Sequence, residues 1–126
     1  MQTKHLGHWV KSKRIDYTYT GATTPVIDVP AKTLVTKVVF VVTTVFAGGA
    51  PAGTVGDGTT PAGWIAGGDL TLTTVGAYVG DETTTANYIL GKYYEAADTI
   101  DFVESGGACT SGYGYILAHF IPMDEA

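Results

Sequence analysis

Residues 34–46, "LVTKVVFVVTTVF", alternate between two faces, and both faces are mostly apolar. Leu34, Thr36, Val38, Phe40, Val42, Thr44 and Phe46 share one side, and Val35, Lys37, Val39, Val41, Thr43 and Val45 share the other. The period of two and the β-branched content predict an extended strand at the centre of the molecule. A strand in a simple antiparallel sandwich keeps one wet face, so the second apolar face here requires a cover. The N-terminal segment, a folded-back loop or another subunit would each serve. Another subunit is favoured, because a contiguous apolar patch on a small soluble protein marks an interface. Val35, Val39, Val41 and Val45 are therefore the candidate residues of a homo-oligomer contact.

The same alternation recurs along the chain in shorter pieces. "IDYTYT" (15–20) reads as a half-buried strand, and "VIDV" (26–29) as a second one ended by Pro30. "AGGAPAG" (47–53) is a flexible connection, and Asp57-Gly58 is the strongest hairpin signal because both residues tolerate positive φ. Strands are expected within 69–80, at 87–90 before a break at Gly91, near 99–103, and at 113–121. Between them, "DETTT" (81–85) and "SGGACTSG" (105–112) turn the chain. About eight strands separated by turn signals predict an all-β antiparallel sandwich, with a jelly roll as the preferred topology and strand order open.

Composition agrees with the pattern. The 126 residues include 20 threonines, 13 valines, 8 tyrosines and 17 glycines, and no run of ten or more shows a capped helical period. That length supports one domain with its own core. A single cysteine, Cys109, rules out an internal disulfide and is expected as a small apolar filler. The longest apolar segment spans 13 residues against about 20 for a membrane helix, so no membrane partner is expected. "MQTKHLGHWVKSKR" holds no apolar stretch of signal-peptide length, which predicts synthesis in the cytosol.

Charge adds a second division. Lys4, Lys11, Lys13 and Arg14 lie in the first 14 residues, which contain no acid. The other 112 residues hold all 12 acids and three lysines, a balance of −9. Residues 1–14 are thus read as a basic N-terminal arm on an acidic body at 15–126. Such an arm docks on something acidic, and Trp9 gives it an apolar anchor. Four charges and one aromatic do not make a nucleic-acid module, so direct nucleic-acid binding is not expected.

The glycine-rich stretch "TVGDGTTPAGWIAGGDL" (54–70) invites a ligand, but its spacing fits none of the known loops. It has no Gly-Lys-Ser/Thr for a phosphate loop and no third glycine or helix for a dinucleotide loop. Counting an EF-hand from Asp57 puts Gly68 where a glutamate belongs, which leaves only a looser calcium site through Asp57 and Asp69. The stretch reads as a hairpin turn plus a Trp64 anchor at the core edge. His5 and His8 lack a third metal ligand, and His119 reads as a strand residue. No nucleophile elbow or Ser/His/Asp spacing is visible. Asp81, Glu82, Asp98, Asp101 and Glu104 read as solubilising edge acids. A non-enzyme without cofactor or metal is expected.

"DYTYTGATTPVIDVPAKTLVTKVVFVVTTVF", "VGDGTTPAGW", "DLTLTTVGAYVGDETTT" and "GKYYEAADTIDF" together resemble small tailed-phage virion proteins, the β-sandwich or jelly-roll modules of head decoration and related structural proteins. The resemblance covers about residues 15–121 and rests on style, so no functional residue is carried across. It implies a virion location and a homo-oligomer, often a trimer, on the capsid lattice or in the tail. The docking arm, with Lys4, Trp9, Lys11, Lys13 and Arg14, would then meet the major capsid protein or a neighbouring protomer. Two rival readings stay open. A tail- or fibre-associated carbohydrate-binding module would need coplanar exposed aromatics such as Trp64, Tyr78, Tyr88 and Tyr93. A small hydrolase would need acids converging in a cleft.

Overall fold

The structure is a computed structural model that describes residues 9–18, 23–81, 88, 90–105 and 109–123. The described residues form eight strands: β1 Trp9–Asp16, β2 Thr23–Val29, β3 Thr33–Ala47, β4 Ala52–Gly56, β5 Gly76–Tyr78, β6 Lys92–Tyr94, β7 Asp98–Ser105 and β8 Ser111–Pro122. One sheet has the order β1-β8-β3-β5, with β6 also pairing β3, and the other has the order β2-β7-β4. Every pairing is antiparallel.

That order is what rolling up one long hairpin produces. The chain's outer strands pair first, β1 with β8, then β2 with β7, then β3 with β6. The innermost pair is reduced to a single bridge, Val55 to Ile65, beyond the end of the loop that follows β4. This nesting, split over two packed sheets, is the jelly roll expected from the strand pattern.

The core lies between the sheets. Phe40 of β3 meets Phe102 of β7 across the sandwich, with ring centroids 5.5 Å apart, and meets Phe46 on its own strand at 6.5 Å. Offset, tilted contacts of this kind suit aromatic quadrupoles. Trp64 and Cys109 are buried in the same core.

Three local expectations are corrected. The strand expected at 15–20 lies earlier: β1 begins at Trp9 and ends at Asp16, and residues 19–20 fall outside the described set. The Asp16 carboxylate accepts hydrogen bonds from the Thr18 amide (2.9 Å) and hydroxyl, an Asx-type turn that competes with strand extension. The boundary drawn at 14/15 therefore falls within a strand, and residues 9–14 belong to the sheet. Within 69–80, where one or two strands are expected, there is one, β5, and a Thr74 N–H to Thr71 O bond turns the chain ahead of it. At 87–90, Tyr88 and Leu90 are not in strand, while 87 and 89 lie outside the described residues. The Gly91 amide bonds back to Tyr88 O there, making a turn, and Leu90 is 94% exposed.

The third correction concerns Val35, which is fully buried on the core side. The β3–β8 register shifts between Val35 and Lys37, so Val35 and Val38 both point inward. One extra residue reverses the alternation, as a bulge must. Val35 therefore cannot line an outer surface of the single chain.

Candidate assembly surface

The surface with unusual chemistry is the outer face of the larger sheet. Directly paired residues share a face, so the registers assemble it in rows. Arg14, Tyr115, Val41 and Ala77 form one row, Ser12, Leu117 and Val39 a second, and Val10, His119 and Lys37 a third. The smaller sheet packs on the opposite side, where Val38, Phe40 and Val42 point. Val39, Val41 and Leu117 are left half-buried, while Val10, Val45, Tyr113 and Tyr115 are exposed. An antiparallel sheet with one wet face should be polar there, and this one is aliphatic and aromatic through its centre.

Cations sit among these groups. The Arg14 guanidinium stacks 4.3 Å from the Tyr113 ring and stands 3.9 Å from Asp16. Lys37 is exposed on the same face. His119 lies in the row between Val10 and Lys37, as a strand residue.

The sequence-derived candidates divide accordingly. Val39, Val41 and Val45 lie on or beside this face, and Val35 does not. Of the arm residues, Lys4 falls outside the described set, whereas Trp9, Lys11, Lys13 and Arg14 are all on β1. Arg14 joins the outer face, while Trp9, Lys11 and Lys13 alternate to the other side of the strand, at the sandwich edge. There the Lys11 ammonium donates to Asp28 O at 3.1 Å and lies 5.1 Å from the Phe120 ring.

The glycine-rich stretch does different work. Asp57 directly follows β4 and is 1% exposed. Its Oδ2 accepts from Lys92 Nζ and Tyr94 OH, both at 2.8 Å, and its Oδ1 accepts from the amides of Thr59 (3.0 Å) and Thr60 (2.8 Å). Lys92 also donates to Tyr88 OH at 3.0 Å and packs against the rings of Tyr88 and Tyr94. Trp64 Nε1 donates to Tyr94 OH at 3.1 Å, and the Trp64 ring meets Tyr88 edge-on. The turn expected from Asp57-Gly58 is present, but it is made by the Asp57 carboxylate; Gly58 is not at positive φ.

The electrostatics follow from these contacts. Burial alone would raise the Asp57 pKa, but Lys92, the Thr60 and Thr59 amides and Tyr94 together hold it below the usual carboxylate range. Burial opposes charge on Lys92 too, and its bonds to Asp57 and Tyr88 nevertheless raise its pKa. Desolvation, reinforced by the bond to Asp57, pushes the Tyr94 hydroxyl well above its ordinary value. Both Asp57 oxygens are thus engaged by the chain's own donors, and the looser calcium site through Asp57 has no lone pair aimed outward. Among the described residues no group of three His, Cys, Asp or Glu side chains is placed to hold a metal ion.

The aromatic platform for sugars does not form from the four candidates. Trp64 is 2% exposed, Tyr88 lies edge-on against it and partly buried, and Tyr78 donates its hydroxyl to Thr74 O. Tyr93 alone of the four is well exposed.

Sequence alone could not have found the Asp57–Lys92 pair, since the two residues are 35 positions apart. The only local signals were a lysine beside two tyrosines and an Asp-Gly turn.

No family model and no curated protein matches the sequence. Solved structures do match. One is a chain of the acid-stable capsid of Helicobacter pylori bacteriophage KHP30, at TM-score 0.71 and 9% identity, covering 98% of this chain and 94% of that one. Another is a chain of the cyanophage Pam1 capsid asymmetric unit, at TM-score 0.67 and 12% identity, covering 97% and 92%. Over nearly its whole length, this chain has the fold of proteins found in two bacteriophage capsids.

Proposed function

We propose that this chain is a structural protein of a phage head, a decoration or cement protein that binds the assembled lattice as a homo-oligomer, with a trimer favoured, and has no enzymatic role. The observation that carries the reading is the outer sheet face, where Val39, Val41, Leu117, Tyr113 and Tyr115 stand without a covering layer among the described residues. The capsid context of the two fold relatives supports it. The major capsid protein and neighbouring copies of the same chain are the partners, and the virion is its location.

Cementing needs no catalysis. A protein that binds assembled subunits and not separated ones stabilises the assembly by mass action. It needs a rigid scaffold and an interface of roughly 1,000 Å² or more; the jelly roll offers the scaffold, and its apolar outer face is the surface on which such an interface would form.

The test is to add the purified protein to heads prepared without it. The expected outcome is co-sedimentation with the heads and a higher capsid melting temperature. Heads that neither bind the protein nor gain stability would contradict the reading.

A further inference from the structure

We propose that the open edge of β1 is a strand-accepting site for an extended, acidic segment of a partner chain. The inference rests on the assembly reading above and assigns a docking mode and a partner chemistry within it. β1 is the terminal strand of its sheet, and among the described residues its backbone pairs only with β8. Eight residues of edge, unpaired among the described residues, are long enough to template another strand.

The side chains say which kind of strand fits. β1 carries Lys11, Lys13 and Arg14 against one acid, Asp16, whereas the 112 residues after position 14 carry a balance of −9. Two β1 edges brought together would oppose cation to cation, so the edge rejects a second copy of itself and favours an acidic strand.

Edge lysines often serve only to block pairing. Here three further features argue for use. Trp9 and Val10 are 55% and 53% exposed on the same strand, which a merely protected edge would not present. A groove of about 310 Å³ opens beside Trp9, between Pro30, Phe120 and Pro122, where the partner's apolar side chains can enter. The cations are also held in place: Lys11 is bonded to Asp28 O and Arg14 is stacked on Tyr113. Held charges lose less entropy on binding than free ones.

The probe is a capped eight-residue peptide of alternating valine and glutamate, compared with its valine–lysine counterpart and with a backbone N-methylated form of the acidic peptide. The readout is hydrogen exchange at the amides of residues 9–16 in the full-length protein. The expected result is slower exchange with the acidic peptide alone, reversed by salt, and binding about tenfold weaker in Lys13→Glu. Lys13 is exposed, so this variant is expected to fold; Arg14→Glu provides a second, with folding checked by circular dichroism. No protection at β1 would overturn the proposal, as would equal protection by the lysine peptide, or by the N-methylated peptide, which keeps the charge but cannot pair. Self-association measured separately by light scattering does not depend on this edge, so a negative peptide result leaves the oligomer reading standing on its own test.

Discussion

The Lys92 ammonium lies 2.8 Å from Asp57 Oδ2 and ties the glycine-rich loop after β4 to strand β6. Asp57's side chain is fully buried, and Lys92's is only about a quarter exposed. Removing one partner leaves the other charge desolvated, which costs about 3–5 kcal/mol in buried pairs. Lys92→Met is therefore expected to lower the urea-unfolding free energy by about 3 kcal/mol, the lower end because Tyr94 and two amides still hold Asp57. A change below about 1 kcal/mol would show that the pair is not a structural tie.

The pH dependence of stability has two opposing parts. Asp57 has a depressed pKa in the folded state, so its contribution is complete above about 3.9, the unfolded value, and is lost as pH falls below it. Asp101 behaves the other way. Desolvation, followed by the nearby Asp98 and Asp57 charges, raises its pKa against the bond from Thr99. Its ionised form destabilises the fold at neutral pH, and protonation between its raised pKa and the unfolded value relieves that cost. Asp101→Asn is therefore expected to be more stable than the parent at pH 7 and to lose the gain on mild acidification. Denaturant titrations from pH 7 to 3 would show both effects, and equal stability at pH 7 would contradict the assignment.

Gly114 of β8 sits opposite Val42 of β3, at the centre of the larger sheet. A Cβ there would lie 2.1 Å from Val41 O and 3.1 Å from the Phe40 ring. Both are parts of the core pair of strands and cannot yield cheaply. Gly114→Ala is expected to cost about 3 kcal/mol, at the upper end for overpacking. A calorimetric melting temperature unchanged by the substitution would refute this packing.

Much of the architecture was legible from period and punctuation. β3, β7 and β8 were expected within one to three residues of their ends, because long alternating runs between glycine or proline signals leave few alternatives. Trp64 was expected at the core edge and lies within the core. What was hidden depended on partners distant in sequence or on single-residue slips. The bulge after Val35 reversed one valine's side without any glycine to announce it. Asp16 ended β1 through its own side chain, while Tyr17 and Tyr19 continued to look like strand. The basic segment looked like a free arm because Trp9–Arg14 gain their pairing from β8, a hundred residues downstream. The outer face itself was visible in outline as a second apolar side of β3, but its tyrosines come from β8 and its arginine from β1.

The interface reading makes a local claim as well. Val41 is half-buried at the middle of the outer face, paired with Tyr115 and Ala77. Val41→Glu places a charge where a partner surface is expected, and should abolish self-association while changing unfolding free energy by less than about 1 kcal/mol. Analytical ultracentrifugation of this variant beside the parent would check it, and an unchanged oligomer would move the contact to another surface.

The most direct measurement of the central claim is multi-angle light scattering on the purified protein across the micromolar range. A chain of 13.2 kDa is expected to run as a defined homo-oligomer, with about 40 kDa for the trimer. A monomer persisting to high micromolar concentration would mean that the apolar face of β3 and β8 stands bare in water, and would contradict assembly through it.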